Sequence, residues 1–243
     1  MKILLLTLLL MAISMPFVTG QEVYTQTVYP SSSFDWSRHT IYMSIPSSPS
    51  WAHDVVNSSL KVWNDAQDWF LETYYPNMTY AKFTLIEAPS AQVTVTFVQT
   101  SQTGTCGSVP AGGWVGCTWL RGDHAQIKIT LDRYAANLTM GLLETANHEV
   151  GHVLGLDDTP NGYDLMQLNG GAYSYPSTLD LFAVFVVAKG TRFYDYAEIA
   201  LPKGIPYIQW LPGNSTSVPE FQNMLPILIA VMLSFAYLRP KRR

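Results

Sequence analysis

Hydrophobic and polar positions change period several times along the chain, and each change marks an element. His39 to Ile45 alternates in part and reads as a strand, bounded by Pro46 and the serine-rich stretch behind it. From about Ser50 to Tyr74 the period becomes helical. Val56, Leu60, Trp63, Ala66 and Phe70 share one face, and Pro76-Asn77 ends the element. Lys82 to Ile86 and Gln92 to Phe97 return to strands, the second with Val93, Val95 and Phe97 set against Gln92, Thr94 and Thr96, which predicts one buried face. After a glycine-rich loop come Trp114 to Leu120 and Ala125 to Leu131, where Ile127, Ile129 and Leu131 alternate cleanly. A second helix is predicted from about Thr139 to Leu154. A third, strongly apolar, runs from Ser177 to Ala188 behind Pro176. The order strand, helix, four strands, helix, helix predicts an α+β domain over about residues 25–190. Residues 191–220, punctuated by Pro202, Pro206, Pro212 and Pro219, read as a stalk or a wrap-around extension.

Composition is consistent with one domain plus appendages: 243 residues, 48% hydrophobic and 13% aromatic, are enough for a core of ordinary size. Charged residues at 13% argue against a disordered chain. A formal net charge of -4 provides no basic footprint, so no nucleic-acid partner is expected.

Both ends carry targeting patterns. Met1-Lys2, the largely apolar run from Ile3 to Met15 and Val18-Thr19-Gly20 form the three parts of a secretory signal peptide over residues 1–20, with cleavage expected after Gly20. The alternative is an uncleaved membrane anchor, and either reading exports the domain. At the other end, Met224 to Leu238 carries no charge and is followed by Arg239, Lys241, Arg242 and Arg243. Such a run spans about 22 Å as a helix, short of a bilayer core of roughly 30 Å unless Phe221 to Asn223 extend it. The basic cluster favours a final membrane segment over a buried core helix. An extracellular protein anchored through residues 221–243 is therefore expected. Cys106 and Cys117 flank the glycine-rich loop and, in an exported chain, read as a disulfide, with two buried thiols as the alternative. Triplets starting at Asn57, Asn77, Asn137 and Asn214 match the glycosylation acceptor pattern, which accords with export.

The chemistry is concentrated in His148-Glu149-Val150-Gly151-His152, followed by Gly155 and Asp158. Histidines four apart on a helix share a face and can offer two imidazole nitrogens to one metal ion. Glu149 then falls beside the metal, as a residue able to take a proton from a zinc-bound water. Gly155 suits a sharp turn through left-handed backbone, which can bring Asp158 back as a third ligand.

The extended pattern resembles that of the metzincin metalloproteases, H-E-x-x-H-x-x-G-x-x-H/D, and within them the matrixin-like branch. Met166, closing Asn161-Gly162-Tyr163-Asp164-Leu165-Met166, looks like the family's methionine turn, and Tyr175-Pro176-Ser177-Thr178-Leu179-Asp180 looks like the start of its last helix. A core-filling role is the other reading of Met166. The likeness covers roughly residues 30–190. It implies a metzincin-like catalytic domain with a twisted mixed β-sheet and three main helices, a Zn²⁺ on His148, His152 and Asp158, Glu149 as catalytic base, and protein or peptide substrates. Tyr173 or Tyr175 would stabilise the oxyanion. Val218-Pro219-Glu220-Phe221, with the apolar run and basic tail, resembles the PEF-type C-terminal sorting signals of archaeal surface proteins.

This chain departs from the matrixin pattern in several places. Asp158 stands where most matrixins have histidine, and the neighbouring Asp157 is a second candidate for that ligand. No cysteine-switch propeptide is expected: Cys106-Gly107-Ser108-Val109-Pro110 looks slightly like one, but it lies inside the catalytic region and has a candidate disulfide partner. His124 beside Asp123, His39 and His53 carry no motif and read as non-ligand residues. The expected function is therefore an exported zinc endopeptidase. The alternatives are a non-catalytic surface or adhesion module on the same fold, and a membrane-associated structural protein without metal.

Overall fold

The computed structural model describes residues 24–34, 39–46, 49–98, 115–131, 138–159, 164–167 and 174–213. Residues 1–20, expected to be a signal peptide, and Cys106, Tyr173 and residues 221–243 lie outside them. No helix among the described residues is long and apolar enough to cross a membrane.

The described residues form seven strands and three α-helices: β1 (Thr25–Val28), β2 (Thr40–Ser44), α1 (Ser50–Tyr74), β3 (Thr84–Glu87), β4 (Val93–Val98), β5 (Gly116–Arg121), β6 (His124–Thr130), α2 (Leu138–Val153), α3 (Thr178–Ala188) and β7 (Ala197–Ala200). The molecule is α+β with a mixed sheet. Its five strands lie in the order β3-β2-β4-β6-β5. The first four are mutually parallel, whereas β5 pairs antiparallel with β6 from Gly116↔Ile129 to Arg121↔His124. The parallel neighbours β2 and β3 need a crossover, which α1 supplies; β5 and β6 are antiparallel and need only the turn at Gly122, where φ is +60°.

One face of this sheet carries the core. Val93 and Val95 of β4 and Ala125, Ile127 and Ile129 of β6 are buried, while the intervening residues are not. Helix α1 lies along the same core through Val56, Leu60, Trp63, Ala66 and Phe70, the stripe its period predicts. Two side chains of α1 also pair with backbone at the sheet margin. Gln67 exchanges hydrogen bonds with Phe83, and Asn64 does the same with Leu85. Buried Trp63 donates its indole N–H to the Asn147 carbonyl at 2.9 Å and so fixes α1 against α2.

The chain does not leave the domain at Gly190. Ala197–Ala200 forms β7, antiparallel to β1, and Trp210 is buried behind Tyr175. Thr178 N donates to the Ile208 carbonyl, and Thr178 Oγ1 donates to Pro206, tying this returning segment to the start of α3. Over residues 191–213 the expected stalk or extension therefore packs against the domain. Neither β1 nor β7 stands out in the hydrophobic pattern, because each has only four residues and their pairing partner is distant in sequence.

Candidate metal centre

Helix α2 places His148, Glu149 and His152 on consecutive turns of one buried stretch. It stops abruptly. Gly155 N donates to the His152 carbonyl at 3.0 Å and Leu156 N to the Gly151 carbonyl at 3.1 Å, a Schellman ending with Gly155 at φ +99°. A side chain at Gly155 would also meet the Phe34 ring at 2.7 Å, so this turn requires glycine twice over.

After the turn the chain runs back beside β1. Tyr29 N donates to Gly155, Asp157 N to Thr27, and the Gln26 side-chain amide to the Asp157 carbonyl at 2.7 Å. This bracing delivers Asp158 to the histidines. Its Oδ1 lies 3.1 Å from His148 Nε2 and 3.7 Å from His152 Nε2. One ligand atom from each of the three residues falls within 4.8 Å of the others, and among the described residues no other group of three such side chains is arranged to hold a metal ion.

The far nitrogens of both rings are held by backbone. His148 Nδ1 donates to the Leu165 carbonyl at 2.8 Å and His152 Nδ1 to the Leu156 carbonyl at 2.9 Å. These bonds fix the orientation of both rings and turn each Nε2 toward Asp158, where His148 Nε2 carries a proton that a metal ion would displace. Two imidazole nitrogens and a carboxylate oxygen make a donor set suited to a metal ion such as zinc. His39, His53 and His124 take other partners: the Tyr80 carbonyl, Glu87 and Asp123. Asp157 is directed elsewhere too, its carboxylate interacting with Tyr29.

Protonation follows from this crowding. Burial opposes charge on His148, but the Asp158 hydrogen bond, Glu149 and the Leu165 carbonyl outweigh it and push the imidazole up to about 9. Burial and then the charge on His148 push His152 down to about 4. Burial would raise Asp158, yet the His148 hydrogen bond and both imidazoles hold it below its ordinary value. The three groups therefore accommodate one positive charge among them.

Glu149 is 3% exposed, and burial pushes its carboxyl up to about 7 against the opposing influence of His148 and Thr118. Thr118 Oγ1, on β5, donates to Glu149 Oε2 at 2.6 Å and lies 3.1 Å from the Glu149 carbonyl. Gly116, on the same strand, lies so close that a Cβ there would collide with the Glu149 carboxylate and the Thr145 methyl.

Met166 is fully buried beneath α2, where a Cβ on Gly151 would collide with its sulfur. Its carbonyl accepts from Thr159 N at 2.7 Å, which ties the 164–167 turn to the segment carrying Asp158. That turn rests on a buried polar cluster. Asp164 accepts from Leu165 N at 2.7 Å, from Ser177 Oγ and from Tyr207, while Ser177 caps α3 reciprocally with Asp180. Burial and the adjacent Asp164 carboxylate push Asp180 well above its ordinary value.

Tyr175 packs edge-on against Trp210 at 6.0 Å between ring centres. Cys117 is not a free thiol, and Cys106, its expected partner, lies outside the described residues. Thr118, Gly116 and Gln26 were not singled out from sequence. A polar residue two positions from a glycine in a strand gives no signal until the strand is known to run beside the motif helix.

No protein-family model matches this chain, and no curated protein matches it either.

Proposed function

We propose that the chain is an exported zinc endopeptidase of metzincin, matrixin-like type, with His148, His152 and Asp158 as the zinc ligands and Glu149 as the base. The observation carrying this reading is the commitment of both Nδ1 atoms to backbone carbonyls, which turns two Nε2 atoms and a carboxylate oxygen toward one point beside a buried glutamate. Zinc, when bound, supplies a Lewis acid that polarises a peptide carbonyl and acidifies a water.

The remaining steps belong to the protein. Leu165 and Leu156 hold the imidazoles in the orientation that points Nε2 inward. Asp158 adds a negative charge to the ligand set, so the ion is a weaker Lewis acid than it would be with a third histidine. Glu149 takes the proton of the attacking water on its carboxylate and returns it to the departing amine. Burial raises this carboxyl, which makes it a stronger base for the water's proton and an acid able to release it to the amine. Among the described residues, β5 has a neighbouring strand on one side only. Its other edge can pair with an extended polypeptide, the form a peptide substrate takes. Met166 and the Asp164 cluster support the ligands from below. The apolar segment and basic tail at residues 221–243 complete the reading as an anchor or sorting signal that keeps the enzyme at the cell surface.

The test is metal removal and return. The purified chain should carry one zinc, cleave unfolded casein, lose cleavage on complete chelation and regain it with one equivalent of Zn²⁺. Cleavage that persists after all metal is gone, or a chain that takes up no zinc, would overturn the proposal.

A further inference from the structure

We infer that Thr118 is a positioning residue for Glu149, and that Gly116 and Thr118 of β5 together form a seat for its carboxylate; this rests on the peptidase reading above. Alternate residues of a strand share a face, so Gly116 and Thr118 both meet α2, whereas Trp119 lines the opposite face beside Thr94 and Gln126. Gly116 contributes space. Its missing side chain is what lets Glu149 Oε1 rest against the strand backbone.

Thr118 contributes direction. Its hydroxyl, 2.6 Å from Glu149 Oε2, makes a charge-assisted hydrogen bond, shorter and stronger than a neutral one. A hydroxyl has one proton to give. The carboxylate takes it, because the Glu149 carbonyl is farther away at 3.1 Å and α2 already supplies that carbonyl with a helical environment. Threonine is β-branched and stiff about χ1, so the donor stays fixed relative to the strand. A glutamate side chain has three torsions, and an unpartnered one samples several rotamers. Held at one oxygen by Thr118 and confined at the other by Gly116, Glu149 keeps one carboxylate orientation relative to His148, His152 and Asp158. The same contact joins the edge strand, where a substrate would pair, to the base that acts on it.

The experiment compares Thr118→Val, Thr118→Ala and Thr118→Ser with the wild-type chain, using fluorescein-labelled casein, zinc analysis and thermal melting. Valine preserves shape and strand propensity without the donor, alanine removes the donor without adding a methyl group, and serine restores it. Both donor-free variants should lose about ten- to a hundredfold in kcat with KM nearly unchanged, the usual cost of removing an outer-shell partner. Zinc content and melting temperature should stay at wild-type values, and serine should recover most of the rate. Wild-type kcat in the donor-free variants would overturn the inference, as would a serine variant as slow as valine. Glu149→Gln, run alongside, separates the two levels. If it is inactive while Thr118→Val is fully active, only the positioning role fails; if it cleaves casein at the wild-type rate, the peptidase reading fails and the positioning role with it.

Discussion

His148 Nε2 and Asp158 Oδ1 stand 3.1 Å apart, while the other nitrogen of the same ring already donates to the Leu165 carbonyl. In a neutral imidazole that arrangement sets two lone pairs against each other. A positive charge between them resolves the conflict. In the metal-free chain the charge is a proton on His148; in the loaded chain it is the metal.

Proton and metal must therefore compete. His148 is pushed up to about 9, so below that pH the incoming ion has to expel its proton. His152, pushed down to about 4, is already neutral and releases none. Zinc affinity should rise about tenfold per pH unit from roughly pH 7 to 9 and then level off, with one proton released per ion. A competition titration against a chromophoric chelator reads this directly. A flat response across that range would mean that His148 is neutral before metal binds.

The adjacent aspartates separate cleanly in the fold. Asp158 faces both imidazoles, whereas Asp157 is tied to β1 through its backbone and has Tyr29 beside its carboxylate. Asp158→Ala should lower zinc affinity by about a hundredfold or more, since one of three protein ligands disappears. Asp157→Ala should stay within about tenfold of wild type, at or below the usual cost of an outer-shell partner, because its carboxylate bonds to Tyr29. The reverse ranking, measured by equilibrium dialysis, would move the third ligand to Asp157.

Gly155 sets where α2 ends and hence where Asp158 arrives. Alanine there meets a left-handed backbone at φ +99° and the Phe34 ring at 2.7 Å. The backbone contributes about 1–2 kcal/mol and overpacking about 1–3 kcal/mol, so Gly155→Ala should cost roughly 2–5 kcal/mol in urea unfolding. Zinc affinity should fall with it. Truncating Phe34 in the same chain should recover only the overpacking part.

The features that were legible in sequence are those carried by local pattern. The stripe Val56, Leu60, Trp63, Ala66, Phe70 placed α1, and alternation at Val93–Val95 and Ile127–Ile129 placed β4 and β6, because burial on one face imposes a period. His148, His152 and Asp158 come together as expected because helix periodicity and one glycine turn are both local. What was hidden depends on distant pairing. Strand β1 braces the Asp158 segment, yet Thr25–Val28 is too short to signal itself without β7 and Leu156. The seat under Glu149 needed the antiparallel placement of β5, which no single segment specifies. Asp164 meets Ser177 thirteen positions away and Tyr207 forty-three positions away, and nothing in either segment announces a shared buried cluster.

That cluster gives the folded state a pH dependence of its own. Asp180 keeps its proton well above the ordinary value of 3.8, while in the unfolded chain it ionises near 3.8. Above that pH the unfolded state binds fewer protons than the folded one, so this group's contribution falls as pH rises until the native carboxyl ionises. Asp180→Asn, which cannot ionise, should flatten that decline. Denaturant midpoints of the zinc-free chain between pH 4 and 8 measure it, and an unchanged slope would show that Asp180 is ionised in the fold.

Casein hydrolysis by Glu149→Ala, with its zinc content determined on the same sample, bears most directly on the proposed activity. The ligand set is untouched, so one zinc per chain should remain. Losing a positioned acid and base should lower the rate by about 10²–10⁴-fold. A zinc-loaded Glu149→Ala that cleaves casein at the wild-type rate would contradict the assignment of Glu149 and, with it, the proposed chemistry of the site.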